Sequence, residues 1–414
     1  MKRGVVMKVF HDPSPLAQSL PMAAHADTCP VCGSPRTEIF FRTPPLPVFC
    51  NLLWKQRTAA QDTRRAAVAL AFCHQCELIY NRNFDPQLLL YDQQYENALH
   101  YSPHFQQYAE SLARELVEKY DLYQKHIVEI GCGSGEFLAT LCRLGDNRGS
   151  GYDPSYDAGR ASHHDVRVKI SAELFSTQNA PADADLICCR HVLEHLADPL
   201  SFLLELRHSL GTRDVPVYFE VPNALYMLDE LGIWDIIYEH CNYFLPSAIS
   251  NLFSAVGFEP LEVRTTYGEQ FLCLEARPRP LLTEGLPAAK PMQSDVRDKI
   301  ALFRDGVETK LATCREQLER CHADRERVVV WGAGSKGVTF LNLLECSLSE
   351  VAYVVDLNPR KQGRFVGGIG QEIVPPEFLR TYRPQTVLVM NPNYQHEIAA
   401  QLDDLGVKSQ LLIV

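Results

Sequence analysis

Twice along this chain a short apolar run leads straight into a glycine turn and then into a helix-like stretch. The first reads "HIVEIGCGSGEF" from His126 to Phe137, the second "RVVVWGAGSKGVTF" from Arg327 to Phe340. Strand, glycine turn and helix in that order open an α/β unit, and a chain that opens two of them holds two such domains. A proline-rich stretch, "RPRPLLTEGLPAAKPM" (277–292), lies between the two restarts. After the first turn come "RGSGYD" (148–153), "ADLICC" (184–189) and "VPVYFEV" (215–221), strand-like runs separated by helix-length segments. "EPLEVRTT" (259–266) and "QFLCLEA" (270–276) are joined only by "YGE". So short a gap permits a hairpin but no crossover, so this last pair is expected to be antiparallel. The second unit continues with "VAYVVD" (351–356) and "QTVLVMNP" (385–392).

Length agrees, because 414 residues exceed one ordinary core. The expected organisation is a flexible tail (1–26), a cysteine-punctuated module (27–87) and an α/β domain with a helical lead-in (88–278). A linker with a long helix (279–325) and a second α/β domain (326–414) follow. In the lead-in, Phe105, Tyr108, Leu112, Leu116 and Tyr120 recur at helical spacing. In the long helix Val296, Ile300, Phe303, Val307, Leu311, Cys314, Leu318 and Cys321 form one stripe, suited to packing within the chain or to a dimeric coiled coil.

A net charge of −11 speaks against a general nucleic-acid binder, which needs a basic face. No apolar run approaches the length of a membrane span. Lys8, His11 and Asp12 interrupt the start "MKRGVVMKVFHDP", so no secretion signal is expected and a cytoplasmic setting is. In that setting the fourteen cysteines read as thiols and metal ligands in preference to disulfides. Cys29-Pro-Val-Cys32 and Cys73-His-Gln-Cys76 supply the four thiolates of a closed tetrahedral zinc site. A redox pair or unliganded thiols are the alternatives.

The first glycine turn carries more chemistry. Gly131, Gly133 and Gly135 follow a strand that ends in Glu129, and Asp153 closes the next strand. Pyrophosphate-binding turns usually read GxGxxG and need no acid two residues ahead. A carboxylate there suits an ammonium group, and an acid after the second strand suits ribose hydroxyls. S-adenosylmethionine has both. The second turn, with Gly332, Gly334 and Gly337 and with Asp356 beyond, has the form of a dinucleotide fingerprint. It admits a nicotinamide cofactor, the nucleotide part of a substrate, or no ligand. "CRHVLEHLADP" (189–199) falls at the carboxyl end of a strand, where ligands bind in open α/β sheets; His191 and His195 would share one helix face if the helix begins there. His191 is a candidate for the cofactor and His195 for the acceptor.

These pieces in this order resemble the S-adenosylmethionine-dependent sugar C-methyltransferases. The resemblance rests on the double CxxC, "VEIGCGSGEF", "VLEHLADP", "EVPN", "YEHCNYF", "GAGSKG…VVDLNPRKQGRFVGG" and "MNPNYQHEI". It implies an N-terminal zinc module, a class I methyltransferase sheet ending in an antiparallel hairpin, and a C-terminal Rossmann-like domain. It implies a nucleotide-linked keto-deoxysugar as acceptor and a Glu-His pair whose histidine removes the proton beside a ketone. Here that pair is Glu239 and His240, with Tyr238 beside it. Adjacent residues cannot point the same way from a regular strand, so the segment must turn or the two side chains must have different targets. Asn223, Tyr243, Gly332, Gly334, Lys336 and Asn393 become candidate acceptor contacts, and Tyr95, Tyr101 and Ser102 candidates to close over the methionine end of the cofactor. Two departures stand out: Ile237 holds the place of an expected tyrosine, and "YDQQYENALHYSPHF" is poorer in serine than expected. A small-molecule partner is expected, without nucleic acid or membrane, in a monomer or homodimer. The competing readings are O- or N-methylation of a sugar or other specialised metabolite, a binding protein that has lost transfer, and a nicotinamide-dependent oxidoreductase.

Overall fold

The computed structural model describes residues 28–89, 96, 98–157, 159, 165–279 and 294–414. The tail, Tyr95 and nearly all of the proline-rich linker lie outside them. The N-terminal module contributes β1 (Thr37–Arg42), β2 (Leu46–Pro47), the short helix α1 (Arg57–Gln61), β3 (Arg65–Ala66), β4 (Ala69–Cys73) and β5 (Ile79–Asn81). Helix α2 (Pro103–Lys119) begins where Ser102 Oγ accepts the Phe105 N–H and Pro103 takes the first helical position.

The central domain follows with β6 (His126–Ile130), α3 (Glu136–Gly145), β7 (Arg148–Tyr152), β8 (Val168–Ser171), β9 (Leu186–Arg190), α4 (Pro199–Leu210), β10 (Val217–Pro222) and α5 (Ala224–Asp229). Then come β11 (Asn242–Tyr243), α6 (Pro246–Ala255), β12 (Phe258–Thr266) and β13 (Phe271–Pro278). Its seven strands lie in the order β12-β13-β10-β9-β6-β7-β8. β8, β7, β6, β9 and β10 are parallel, and β13 runs antiparallel to both β10 and β12. The expected hairpin is therefore present, with one further strand, β8, that the sequence reading did not contain. β6 is buried along its whole length, which is why its side chains read as a continuous apolar run apart from its acid.

The stripe of α7 (Ser294–Ala323) is buried inside the same chain: Val296, Ile300, Phe303, Val307, Cys314 and Leu318 join one core cluster. Phe303 meets Phe40 and Phe41 of β1 edge to face, 6.2 and 5.6 Å between ring centroids. The C-terminal domain adds β14 (Val328–Trp331), α8 (Ser335–Leu343), β15 (Val351–Val355), β16 (Glu372–Val374), α9 (Leu379–Tyr382), β17 (Thr386–Val389), α10 (Gln395–Leu405) and β18 (Gln410–Ile413). Its strands form an all-parallel sheet in the order β16-β15-β14-β17-β18. No helix among the described residues is long and apolar enough to cross a membrane.

One pairing crosses the domain plan. β11, which belongs to the "EHCNYF" segment, joins the sheet of the N-terminal module, so that sheet runs β1-β4-β5-β11. The segment that holds His240 is thus stitched to the cysteine module.

Candidate active site

The four cysteines of the two CxxC knuckles converge. Their sulfur atoms all lie within 4.8 Å of one another, with Cys29–Cys76 and Cys32–Cys73 both at 3.5 Å. A tetrahedral zinc with bonds of about 2.3 Å needs sulfurs about 3.8 Å apart, so the set fits that ion. The two knuckles repeat one turn: Gly33 N–H donates to Cys29 O at 3.0 Å, and Glu77 N–H to Cys73 O at 2.9 Å. Gly33 and Glu77 both take positive φ.

At the first glycine turn, Gly131 N–H donates to Tyr152 O and Gly133 N–H to Asp153 Oδ2, both at 2.8 Å, while Gly135 caps α3. Gly131 has φ +70°, and a Cβ there would stand 2.1 Å from Val192 Cγ2, so only glycine fits. A Cβ at Gly133 would meet nothing within 4 Å, so the turn is open there. Glu129 is buried, and its Oε2 has no hydrogen-bond partner. Burial pushes its carboxyl up to about 8. A buried carboxyl with one unpaired oxygen beside an open turn fits a ligand that brings its own cation. Asp153 straddles the turn, with Oδ1 accepting from Ser155.

Val192, which seals Gly131, begins the segment to the histidine cluster. No helix spans His191 and His195. His191 has φ +54°, residues 193–195 make one 3-10 turn, Leu196 is extended, and α4 starts only where Asp198 caps it ahead of Pro199. The expectation of a shared helix face fails because the Asp-Pro start lies downstream of both histidines. The irregular turn aims them apart. His191 Nε2 is 3.0 Å from Glu220 Oε1, and its Nδ1 is 3.6 Å from Glu194 Oε1. Burial opposes its charge, but the two carboxylates outweigh burial and raise it to about 9. His195 Nδ1 lies 3.0 Å from Glu239 O, a carbonyl that can only accept, so this nitrogen carries the proton. The His195 and His240 rings stand 4.8 Å apart, centroid to centroid.

Glu239 and His240 do have different targets. Glu239 Oε2 accepts the Cys50 N–H of the N-terminal module at 2.9 Å. His240 faces His195 and Glu194, and one ligand-type atom of each lies within 4.8 Å of the others. Burial first, then His195, pushes the His240 imidazole down to about 3, which keeps it neutral. The loop is held from both sides: Cys241 N–H donates to Glu194 O, Asn81 N–H to Cys241 O, and Asn242 Nδ2 to Leu196 O.

Several expected site residues have backbone partners instead. Tyr238 Oη accepts from Asp85 N–H and donates to Asn83 O, and its ring stacks on Phe84. Tyr243 Oη bridges the N–H and carbonyl of Ile237. Asn223 caps α5 and donates to Glu269 O. Ser102 caps α2 and donates to Glu397 of the C-terminal domain at 2.7 Å. Tyr238, Tyr243, Asn223 and Ser102 therefore hold loops in place. Tyr101 is half-buried and stacks beside His100, whose Nδ1 is 3.5 Å from Glu136 at the start of α3.

The second glycine turn uses the same bonds. Gly332 N–H donates to Val355 O at 2.8 Å, and Ala333 N–H to Asp356 Oδ2 at 2.9 Å. Beside it, however, buried Lys361 donates to Ala333 O at 2.9 Å and to Asn51 Oδ1 of the N-terminal module at 3.2 Å. Only about 10 Å³ remains between Ala333, Lys361, Cys50 and Asn51. That space holds about one water. Lys336 pairs with Asp235 at 2.6 Å, and Asn393 Nδ2 donates to Tyr267 O at 2.7 Å, so both tie the C-terminal domain to the central one. Gln270 and Asn391 exchange two hydrogen bonds in the same seam.

Sequence reasoning missed Glu220, Arg190, Tyr108 and Glu194 as a connected set. Glu220 is fully buried between Arg190 (3.1 Å), His191 and the Tyr108 hydroxyl. A lone acid and a lone base inside the apolar runs of β10 and β9 were the available signal.

Residues 101–263 match the family model of a methyltransferase domain, and residues 279–414 match that of a C-methyltransferase C-terminal domain. The two matches place a methyltransferase domain in the central part of the chain and a C-methyltransferase C-terminal domain after it. Among curated proteins the chain is 33% identical over 98 residues to the tRNA U34 carboxymethyltransferase of Campylobacter hominis, over 22% of this chain and 34% of that protein. It is 27% identical over 158 residues to the ubiquinone biosynthesis O-methyltransferase of Ralstonia nicotianae, over 34% of this chain and 65% of that protein. The chain thus spans about a third to two thirds of the length of these relatives. Among solved structures, the 1,6-didemethyltoxoflavin-N1-methyltransferase of Burkholderia thailandensis with bound S-adenosylhomocysteine is similar at 16% identity and TM-score 0.33, covering 42% of this chain and 79% of that one. A plantazolicin methyltransferase with the same ligand is similar at 12% identity and TM-score 0.34, covering 44% and 87%.

Proposed function

We propose that the chain transfers a methyl group to carbon, next to the ketone of a nucleotide-linked deoxysugar, with zinc as a structural ion and His240 as the base. The observation that carries this reading is the neutral, half-buried His240 on a loop packed against the turn that leaves Val192 and the first glycine turn. Carbon beside a ketone is not nucleophilic until it loses a proton, and a neutral imidazole can take one. The carbon–hydrogen bond breaks, its electron pair enters the enolate, and the proton goes to an imidazole nitrogen of His240. S-adenosylmethionine supplies an electrophilic methyl carbon on a sulfonium. Glu129 would face its ammonium group, Asp153 its ribose, and Gly131 and Gly133 would let it lie close to the backbone.

The seam between the two α/β domains, where Lys336 and Asn393 meet Asp235 and Tyr267, supports a place for the acceptor, with open space beside glycines 332 and 334. Four thiolates around zinc leave no open coordination position, so the metal would hold the module that carries Cys50, Asn51 and the partner strand of β11. A tRNA acceptor, as named for the Campylobacter relative, sits poorly with a net charge of −11. The test is turnover with a thymidine-diphosphate-linked 4-keto-6-deoxyhexose and a methyl donor labelled with carbon-13. A product methyl coupled to a ring carbon is expected. A methoxy product would replace this reading with O-methylation.

A further inference from the structure

The neutrality of His240 leaves a problem that the base alone does not solve. A half-buried imidazole that stays uncharged at rest gains a full charge when it takes a proton, and a poorly solvated charge needs an opposite one. We propose that Glu194 is the positioning carboxylate that pairs with His240 once it is protonated, and that His191, anchored on Glu220, keeps Glu194 aimed and ionised for that purpose. This rests on the reading of His240 as the base.

Glu194 is buried, and neither of its carboxylate oxygens has a hydrogen-bond partner in the resting protein. A carboxylate so placed is costly unless something answers it. The groups around it are nearly all imidazoles. His191 stands at 3.6 Å, and one ring nitrogen each of His195 and His240 lies within 4.8 Å. The backbone of Cys241 holds the Glu194 carbonyl rather than its carboxylate, and buried Cys189 lies behind it. Burial favours the protonated acid, but His191 first and then His195 and His240 outweigh it and hold Glu194 below the usual carboxylate range. His191 is set by Glu220, which is itself gripped by Arg190 at 3.1 Å and by Tyr108. The chain of charge therefore alternates: Arg190, Glu220, His191, Glu194, with the rings of His195 and His240 next to it.

His195 has only one nitrogen left for this chemistry, because Nδ1–H is committed to Glu239 O. The same three donors also have the spacing of a metal site. A charged His191 beside Glu194 argues against a resident cation, since it already supplies the positive partner.

The step balances with S-adenosylmethionine as its one co-reactant. The substrate proton moves to His240, the pair left on carbon attacks the methyl, and the carbon–sulfur bond electrons stay on sulfur. The imidazolium then loses its proton to solvent, and Glu194 is unchanged at the end.

The test compares wild type, Glu194→Gln, Glu194→Asp and His240→Asn, each with its zinc retained. The measurement is exchange of the hydrogen beside the ketone of the same keto-sugar nucleotide in heavy water, with S-adenosylhomocysteine bound. The expected result is no exchange by His240→Asn, exchange slowed roughly 10- to 100-fold by Glu194→Gln, and partial recovery in Glu194→Asp, with affinity for S-adenosylhomocysteine unchanged within about two-fold. Wild-type exchange by Glu194→Gln, with His240→Asn silent, overturns the role of Glu194 and leaves the base intact. Exchange by His240→Asn at the wild-type rate, or none by the wild type, overturns the base reading and this inference with it. Elemental analysis of the wild type completes the test: a second divalent ion bound stoichiometrically and lost in Glu194→Gln would make Glu194 a ligand and overturn the proposal.

Discussion

The two glycine turns of this chain begin with the same two hydrogen bonds, and their surroundings then part. In each, the first glycine donates to the end of the next strand and a later residue donates to an aspartate, Asp153 in one case and Asp356 in the other. At the first turn a buried carboxyl, Glu129, keeps one oxygen without a hydrogen-bond partner beside an open glycine. At the second, the side of Ala333 is occupied by Lys361 and by Asn51 from a different domain. A strand–turn–helix pattern therefore defines a backbone cradle, and the neighbours decide whether anything can lie in it. A nicotinamide cofactor beside Ala333 would have to displace a buried lysine from two hydrogen bonds.

Removing zinc should have the largest effect. The module holds Lys361 beside the second turn through Asn51 and carries the strand that pairs with β11. A chelator, or Cys73→Ser, should abolish methyl transfer and lower the melting temperature by more than 10 °C, because such sites contribute most of a small module's folding energy. Thermal melts followed with metal analysis would check this.

Next in size is a paired substitution. Gly131→Ala places a Cβ on Val192 at positive φ and should weaken S-adenosylhomocysteine binding at least 100-fold. Gly334→Ala in the second turn meets nothing within 4 Å and should leave that affinity unchanged in calorimetry. Equal losses from both would break the comparison.

Lys361→Ala should then cost about 2–4 kcal/mol in denaturant unfolding, because it empties a buried site and strands its partners. Nicotinamide dinucleotides should leave the wild type's fluorescence unchanged. A saturable change would mean that the second turn opens.

The smallest effect is a pH dependence. The Glu129 carboxyl sits near 8 in the free protein, so it is largely neutral at pH 6 and ionised at pH 9. An ammonium ligand favours the ionised form, so affinity should rise with pH up to about 8, by less than ten-fold. Beyond that it should flatten as the ligand's own ammonium begins to lose its proton. Glu129→Gln should remove the slope.

The sequence reading located the strands of the central sheet well where a buried run is continuous, as in "HIVEI" and "ADLICC". β8, β16 and β18 escaped it because they are short and only partly buried, so no strong pattern marks them. In the site, the geometry of the glycine turn with its flanking acids and the convergence of the paired cysteines were legible from spacing. Tyr238, Tyr243, Asn223 and Ser102 were not, because a polar group that holds a backbone looks in sequence like one that holds a substrate.

By itself the sequence determined two α/β domains, a hairpin at the end of the first sheet, a cysteine cluster and one acid-flanked glycine turn. Those follow from local spacing, which is a property of neighbours along the chain. Only tertiary structure decided that β11 joins the cysteine module's sheet, that Asn51 and Lys361 pack beside Ala333 of the second turn, and that Glu220, His191, Glu194 and His240 come together. Apart from His191 and Glu194, three residues apart, those contacts join segments that sequence spacing does not bring together, and the burial and charged partners that set each group's ionisation arise only when the segments meet.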